Sequence, residues 1–551
     1  MSSLINSALS GLNAAQAALS TVSNNISNVS VAGYNREQAI LTEANGTSTP
    51  AGYLGNGTNV TGINREYNAF VVNQLLSAST VNSALTTQSG QASQIDDLLS
   101  STTTSLDTTM QTFFTSLQTL SSNASDSAAR QTVLGDAQAL TSQLNSAAKY
   151  LNDMNSGINQ QVSDNVTQIN NYTAQIANLN SQISQTRSST GQEPNALLDQ
   201  RDLAVSNLNA IVGVTVTQQD GDAYNVSFAN GIPLVQGSTA ATLVAVPSDA
   251  DASQTTVAVQ SKDGTQSQIS ESRITTGSLG GALSFRSDNL APAVNQLGQL
   301  ALNLASSFNT QHDKGFDLTG TAGTDFFSYT GASVVGNSKN TSTATLNVSY
   351  SDTTAVKASD YAMTYDGSNW KVTRVSDGAN ITPTAGTDSS GNATLNFDGL
   401  SVGVSGTPNA NDRFTIKTVS NAASSIDVAI TDPSKIAAAS TATAGVSDNT
   451  NAQALLNLQT AKLVDGKTTL SGAYASLVSS VGTQVNTLQT NSTAQTNIVT
   501  QLTAQQQSIS GVNLDEEYGD LQRYQQYYIA NSQVIQTAST IFNAIISAVS
   551  A

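Results

Sequence analysis

The sequence predicts a multidomain α + β fold, in which N- and C-terminal segments form a long helical bundle and coiled-coil frame and β-rich modules are inserted in the middle. Three observations predict it. Apolar residues recur every seven positions at both ends of the chain, as in a coiled-coil seam. Alternation with period two, punctuated by Asp-Gly turns, is confined to two central stretches. At 551 residues the chain also exceeds what one hydrophobic core sustains, and only 8 prolines interrupt it, which suits long helices.

From the N-terminus, Ile5, Leu12, Leu19 and Ile26 form one heptad row and Ala8, Ala15, Val22 and Val29 the other. The small side chains that open the second row allow a partner helix to come close. The row Val71, Ala78, Leu85, Ala92, Leu99, Leu106, Phe113 and Leu120 continues the helical theme. A longer stripe from Leu140 to Ile183 is spaced mostly by three and four, the mark of one buried helix face. Glu193-Pro194 to Ile211 reads as a further helix, with Pro194 in its first turn, where a missing N–H costs nothing.

The character changes at Val212. Val214 and Val216, an Asp220-Gly221 turn, then Tyr224, Val226 and Phe228 give a hairpin signature. Strand-like sequence runs on to about Gly281, after which Leu290, Leu297, Leu300, Leu304 and Phe308 mark a helix. A second β region follows, carried by Leu346 to Tyr350, Tyr361 to Tyr365, the Asp366-Gly367 turn, Trp370 to Val372, and Phe397, Val402, Val404, Phe414 and Ile416.

Helix returns at Ser447, through Leu455, Leu458 and Leu463 and then Tyr474 to Ile509. The last segment carries Leu514, Leu521, Tyr528, Ile535, Phe542 and Val549 in one heptad row and Tyr524, Asn531, Ala538 and Ile545 in the other. These bulky residues are expected to face the small ones of the N-terminal helix, and Asn513 with Glu516 resembles a capping box. The domains expected are a terminal coiled-coil assembly region (1–65 with 510–551), a helical rod domain (66–211, 284–318 and 447–509), a β-rich module (212–283) and an outer β-rich module (319–446).

Composition narrows the function. A formal net charge of -18 with no clustered Lys or Arg argues against nucleic-acid binding, and no stretch is apolar enough to insert in a membrane. The start of the chain lacks the basic and apolar regions of a Sec leader. Absence of cysteine removes disulfides, thiolate metal sites and thiol chemistry. His312 is the only histidine, and its place at a helix end favours a hydrogen-bonding role over a catalytic one. Asp220 with Asp222, and Asp249 with Asp251, lack the oxygen run of a calcium loop and read as turns; Trp370 reads as strand core. No cofactor, metal site or enzymatic activity is expected.

The segment Asn13 to Tyr34, with Asn24-Asn25-Ile26-Ser27-Asn28 and Gly33-Tyr34, resembles the N-terminal signature of flagellar rod, hook and hook-associated proteins, with Val31-Ala32 in place of the usual Thr-Pro. Ser510 to Glu517, followed by Leu521 and Tyr524-Gln525-Gln526, resembles their C-terminal signature. Inside the chain, Asn195 to Asp202, Gln311 to Gly320 and Asp448 to Leu455 resemble blocks of the hook-associated protein 1 family.

That resemblance implies a structural subunit joining hook to filament, self-associating head to tail into a helical assembly or ring. It implies hook protein below, hook-associated protein 3 above, an export chaperone on the C-terminal helix, and secretion through the flagellar type III apparatus. The terminal heptads are then the assembly interface. Another axial subunit (hook-associated protein 3, hook protein or flagellin), a secreted adhesin using the β modules, and a hydrolase built on His312 are the competing readings.

Overall fold

The computed structural model describes residues 2–49, 52–100, 105–219 and 222–550. Its helices are α1 (Ser2–Asn28), α2 (Ala69–Ser100), α3 (Leu106–Ser122), α4 (Ser127–Thr190), α5 (Asn195–Ile211), α6 (Gly277–Phe285), α7 (Ala291–His312), α8 (Ala422–Ser425), α9 (Thr450–Asn457), α10 (Leu470–Ser510) and α11 (Leu514–Ser550).

The two ends of the chain meet. α1 lies along α11, with Gly11 against Asn531 and Asn25 against Glu517, so the pair is antiparallel. A long hairpin follows α1, its strands Glu37–Glu43 and Thr58–Arg65 paired antiparallel. Gly57 leaves no room for a side chain beside Ser7 and Ser10, which presses this hairpin onto α1. Its tip, Thr47–Thr49 paired with Gly52–Leu54, exposes Tyr53 to 72%.

α2 pairs with α10 beyond this terminal layer, and α4 runs through the helical domain for 64 residues. Gly191 ends α4 at φ 68°, a left-handed cap that glycine adopts without strain. The expected stripe is the buried one: Leu140, Leu144, Leu151, Ile158, Val162, Ile169, Ile176 and Ile183 are inside. α3 and α7 meet the following loop in an aromatic cluster of Phe113, Phe308, Phe326 and Phe327. Such rings combine large buried area with favourable edge-to-face contacts.

The expected hairpin forms between Val214–Gln218 and Tyr224–Phe228, and continues into Ile232–Gln236 and Thr239–Ala240 as a four-stranded sheet; its turn residues Asp220 and Gly221 lie outside the described residues. A three-stranded sheet of Thr242–Pro247, Thr255–Gln260 and Gln266–Gln268 completes this module. Beyond it, one five-stranded sheet (Ser333–Gly336, Arg413–Lys417, Tyr361–Tyr365, Trp370–Arg374, Asn380–Ile381) packs on a four-stranded one (Thr345–Tyr350, Leu400–Ser405, Ala393–Phe397, Thr384–Thr387). Tyr361 and Phe397 meet edge to face across the two sheets at 5.1 Å. Alternation does its work here: Tyr361, Met363, Val372, Val402, Phe414 and Ile416 point inward. Trp370, on strand, contacts Tyr365 and Phe414.

Four readings are corrected. Helix begins at Gly277, inside the stretch expected to be strand-like. Gly277 takes φ 75°, and Gly281 packs its bare Cα against the backbone of Ala84, so glycines that weaken a helix in isolation here permit close approach. The helix expected through Leu463 stops at Asn457, where the backbone bonds tighten to i→i−3 turns through Ala461 before the chain reverses at Asp465 and Gly466, both at positive φ. The Val71 to Leu120 row is divided between α2 and α3. Finally, α1 ends at Asn28, so Val29 falls off its heptad row and is exposed.

Candidate assembly interface and its internal joint

On α1 the small row is the buried one. Ala8, Ala14, Ala15, Ala18, Thr21 and Val22 are inside, whereas Ile5, Leu12, Leu19 and Ile26 are half-buried along the flank. On α11 the face turned to α1 carries Glu517 and Ala538, with Tyr524 and Asn531 half-buried between them, again spaced by seven. The expectation that the bulky row faces α1 is therefore corrected. Helix axes close enough for Ala8, Gly11 and Ala15 to make contact admit only small or thin partners. Leu521 and Ile535 sit half-buried at the edge, and Leu514, Tyr528, Phe542 and Val549 remain exposed, Phe542 at 51% and Val549 at 82%. Phe542 and Val549, together with Ile541, Ile545 and Ile546, leave the last turns of α11 apolar and exposed.

The two terminal signatures are halves of one joint. Asn25 is buried; its Nδ2 donates to the Glu37 carbonyl at 2.9 Å and to Glu517 Oε2 at 3.0 Å, while its Oδ1 accepts from Glu37 N and from the Tyr34 hydroxyl. Asn24 Nδ2 donates to Tyr34 and to Glu37. Glu517 is 1% exposed and receives Arg36 Nε at 2.7 Å. The Arg36 backbone N–H donates to the Ser510 carbonyl. Burial, then the nearby carboxylates of Glu37, Asp199 and Glu517, push the Tyr34 phenol up, which keeps it a neutral donor. Gly33 turns the chain at φ 79°, and a Cβ there would lie 3.0 Å from Leu203 Cβ.

Asn513 Oδ1 accepts from Asp515 N at 3.0 Å, a genuine cap, but the capping box is only half made. Glu516 turns away to Arg36 at 3.0 Å instead of reaching back, because the stronger partner is a guanidinium. The block Asn195 to Asp202 meets the other side of the joint. Asp199 accepts from the backbone and side chain of Asn35 and from Arg65, which also pairs with Asp202 at 2.7 Å. Asn195 Nδ2 holds the Ile63 carbonyl of the hairpin.

The remaining two blocks form a second knot. Gln311 Nε2 donates to Asn451 Oδ1 at 2.7 Å, Asn451 Nδ2 donates to the Ala437 carbonyl, and Asp448 receives Ser440. His312 is fully buried; its Nδ1 donates to the Thr324 carbonyl at 2.6 Å and its Nε2 accepts from Ala437 N at 2.9 Å. Burial lowers its pKa to about 4, so the ring is neutral and both nitrogens are committed to backbone. Asp249 pairs with Lys339 and Asp251 with Lys417, tying the two β modules together. Asp222 pairs with Arg187. Among the described residues no group of acidic or histidine side chains is placed to hold a metal ion, and no helix is long and apolar enough to cross a membrane.

Arg36, Glu37, Arg65 and the role of Glu517 escaped the periodicity reading. A usable signal was present: only 11% of residues are charged, so a charge inside a signature is informative.

Comparison with known proteins follows the same division. The family model described as the flagellar hook-associated protein FlgK helical domain matches residues 92–327, and the hook-associated protein 1 D2-like domain matches 335–418. A flagella basal body rod protein model matches 5–35, and the C-terminal model of the basal body rod FlgEFG proteins matches 504–548. Flagellar hook-associated protein 1 of Escherichia coli is 53% identical over 549 residues, covering 99% of this chain and 100% of the relative. The Salmonella typhimurium protein of the same name is 52% identical over 555 residues, with 99% and 100% covered. The structure of the flagellar hook junction protein FlgK from Burkholderia pseudomallei superposes with a TM-score of 0.75 at 32% identity, covering 80% of this chain and 100% of that one. The chain belongs to the flagellar hook-associated protein 1 family and is a structural component of the bacterial flagellum.

Proposed function

We propose that this protein is the adaptor at the junction of hook and filament, working through repeated subunit contacts and not through chemistry. The terminal region, 1–65 with 510–551, serves as the inner layer, the helical rod domain surrounds it, and the β modules project outward. The single observation that carries this reading is the apolar end of α11, where Ile541, Phe542, Ile545, Ile546 and Val549 are exposed because the antiparallel register carries them past the start of α1. Exposed large apolar side chains gathered on neighbouring turns mark an interaction site in a protein that otherwise covers itself with Ser, Thr, Asn and Gln.

The assembly interface then consists of Leu514, Tyr528, Phe542 and Val549 on the open face of α11, with Ile5, Leu12, Leu19, Ile26, Leu521 and Ile535 along the groove between the two helices. Head-to-tail repetition of a heterologous contact yields a ring or helical tier. Hook protein lies on one side and hook-associated protein 3 on the other. Before assembly an export chaperone covers α11, and the chain leaves through the flagellar type III route. Fluorescently labelled protein added to purified hooks is expected to decorate their tips, and Phe542→Asp to abolish decoration. Uniform binding along hooks, or binding to host-cell surfaces through the β modules instead, would count against the junction and for an adhesin.

A further inference from the structure

The outer module is seated on the helical domain over a cavity of about 290 Å³. α4 lines it with the neutral Asn152, Asn155 and Ser156, α7 with Asn295, and the outer module with Asp360 and Ser420. Asp360 Oδ1 and Asn295 Oδ1 are both buried without a hydrogen-bond partner, as is Ser420 Oγ. Orphaned acceptors of this kind are rare in folded proteins. Here two of them belong to side chains that already face each other, since the Asn295 amide and the Thr418 N–H are hydrogen-bond partners of the Asp360 carboxyl. Two acceptors cannot bond to one another. A single proton between them satisfies both.

We propose that Asp360 is protonated in the docked protein and donates through its Oδ1 to Asn295 Oδ1, closing a cyclic acid–amide pair that fastens the outer module to α7 and loses this second bond, leaving two facing acceptors, when Asp360 ionises. Burial pushes the carboxyl up to about 6, with Asp251 adding to the shift and Lys417, the Thr418 N–H and the Asn295 amide opposing it. The charged groups around the cavity are already paired. Lys417 lies 2.7 Å from Asp251, and Arg286, from the turn between α6 and α7, lies 2.5 Å from Glu271. α4 presents no charge to it.

The folded carboxyl therefore holds its proton more tightly than the unfolded one. Stability from the pair is full below the ordinary carboxylate range and is lost as pH rises through about 6. The ion pairs Lys417–Asp251 and Lys339–Asp249 keep the module attached to its β-rich neighbour throughout, so ionisation loosens one edge of the seat without releasing the module.

The test uses the full chain labelled with carbon-13 at aspartate carboxyls, with Asp360 assigned through its own backbone. Its carboxyl is expected to titrate with a midpoint above pH ~5, and amide exchange along Arg413–Lys417, corrected for intrinsic rates, to accelerate several-fold from about pH 5 to about pH 7. D360N carries a permanent N–H donor and is expected to flatten that acceleration. A midpoint in the ordinary carboxylate range overturns the proposal, as does an Asp360→Asn protein that keeps the wild-type pH dependence. If D360N does not fold, the wild-type titration decides alone.

Discussion

Asn25 shows how one side chain can carry an assignment. Its amide is saturated by a strand backbone, a tyrosine hydroxyl and a carboxylate 492 positions away, a constellation that neither glutamine nor aspartate reproduces. Gly33 serves the same joint through its backbone. Replacing it with valine forces a β-branched residue to φ 79° against Leu203, at a cost of about 1–2 kcal/mol for the conformation alone. Ala32→Pro takes nothing away, because the turn's backbone bonds are donated by Val31 and Tyr34. Swimming and filament counts are expected to fall sharply for Gly33→Val and to stay near wild type for Ala32→Pro; equal motility in the two strains would contradict this. At this scale the sequence was legible where residues fell into contiguous blocks. Arg36 and Arg65 were not, since their partners Glu517 and Asp199 are distant in sequence and a pairwise charge contact leaves no periodic trace.

Helices and strands were legible wherever one face is buried. The 64-residue α4 and the strands Tyr361–Tyr365 and Trp370–Arg374 lie where their patterns placed them. The start of α6 was hidden because its glycines are chosen for contact with Ile211 and Ala84, which propensity does not register. The heptads of α11 were visible, but which row meets α1 was not, since that depends on how closely the axes approach. α1 and α11 meet through small side chains, and of α11 only Glu517 and Ala538 are buried, so the pair alone is marginal in water until neighbouring subunits cover the rest. In the soluble monomer, limited proteolysis is expected to trim about the first 30 to 60 and the last 40 residues while sparing the helical domain. Ile535→Asp is expected to block assembly and leave the protected remainder unchanged. Protected amides around Leu12 and Ile535 in the monomer would refute this coupling of order to assembly.

For the whole molecule the informative boundary is that of the outer module. Strands of its two sheets run from Ser333 to Lys417, whereas the flanking stretches of the expected 319–446 module belong to the helical core: Phe326 and Phe327 join the aromatic cluster, and Thr324 and Ala437 hold His312. Excision of 333–418 with a short linker is therefore expected to give a stable, secreted, junction-competent protein, while excision of 319–440 is expected to unfold it. Circular dichroism melts and filament counts of the two truncations would check this, and a stable 319–440 deletion would overturn it. Single-sequence patterns missed that boundary because a loop that contributes buried phenylalanines looks like any other loop. α1 meets its partner only when α11 arrives, so during N-to-C emergence it must wait for nearly the entire chain. A docking face rich in leucine would spend that interval seeking wrong company. One built on Ala8, Ala14, Ala15 and Ala18 offers little for a wrong partner to bury before the final segment arrives.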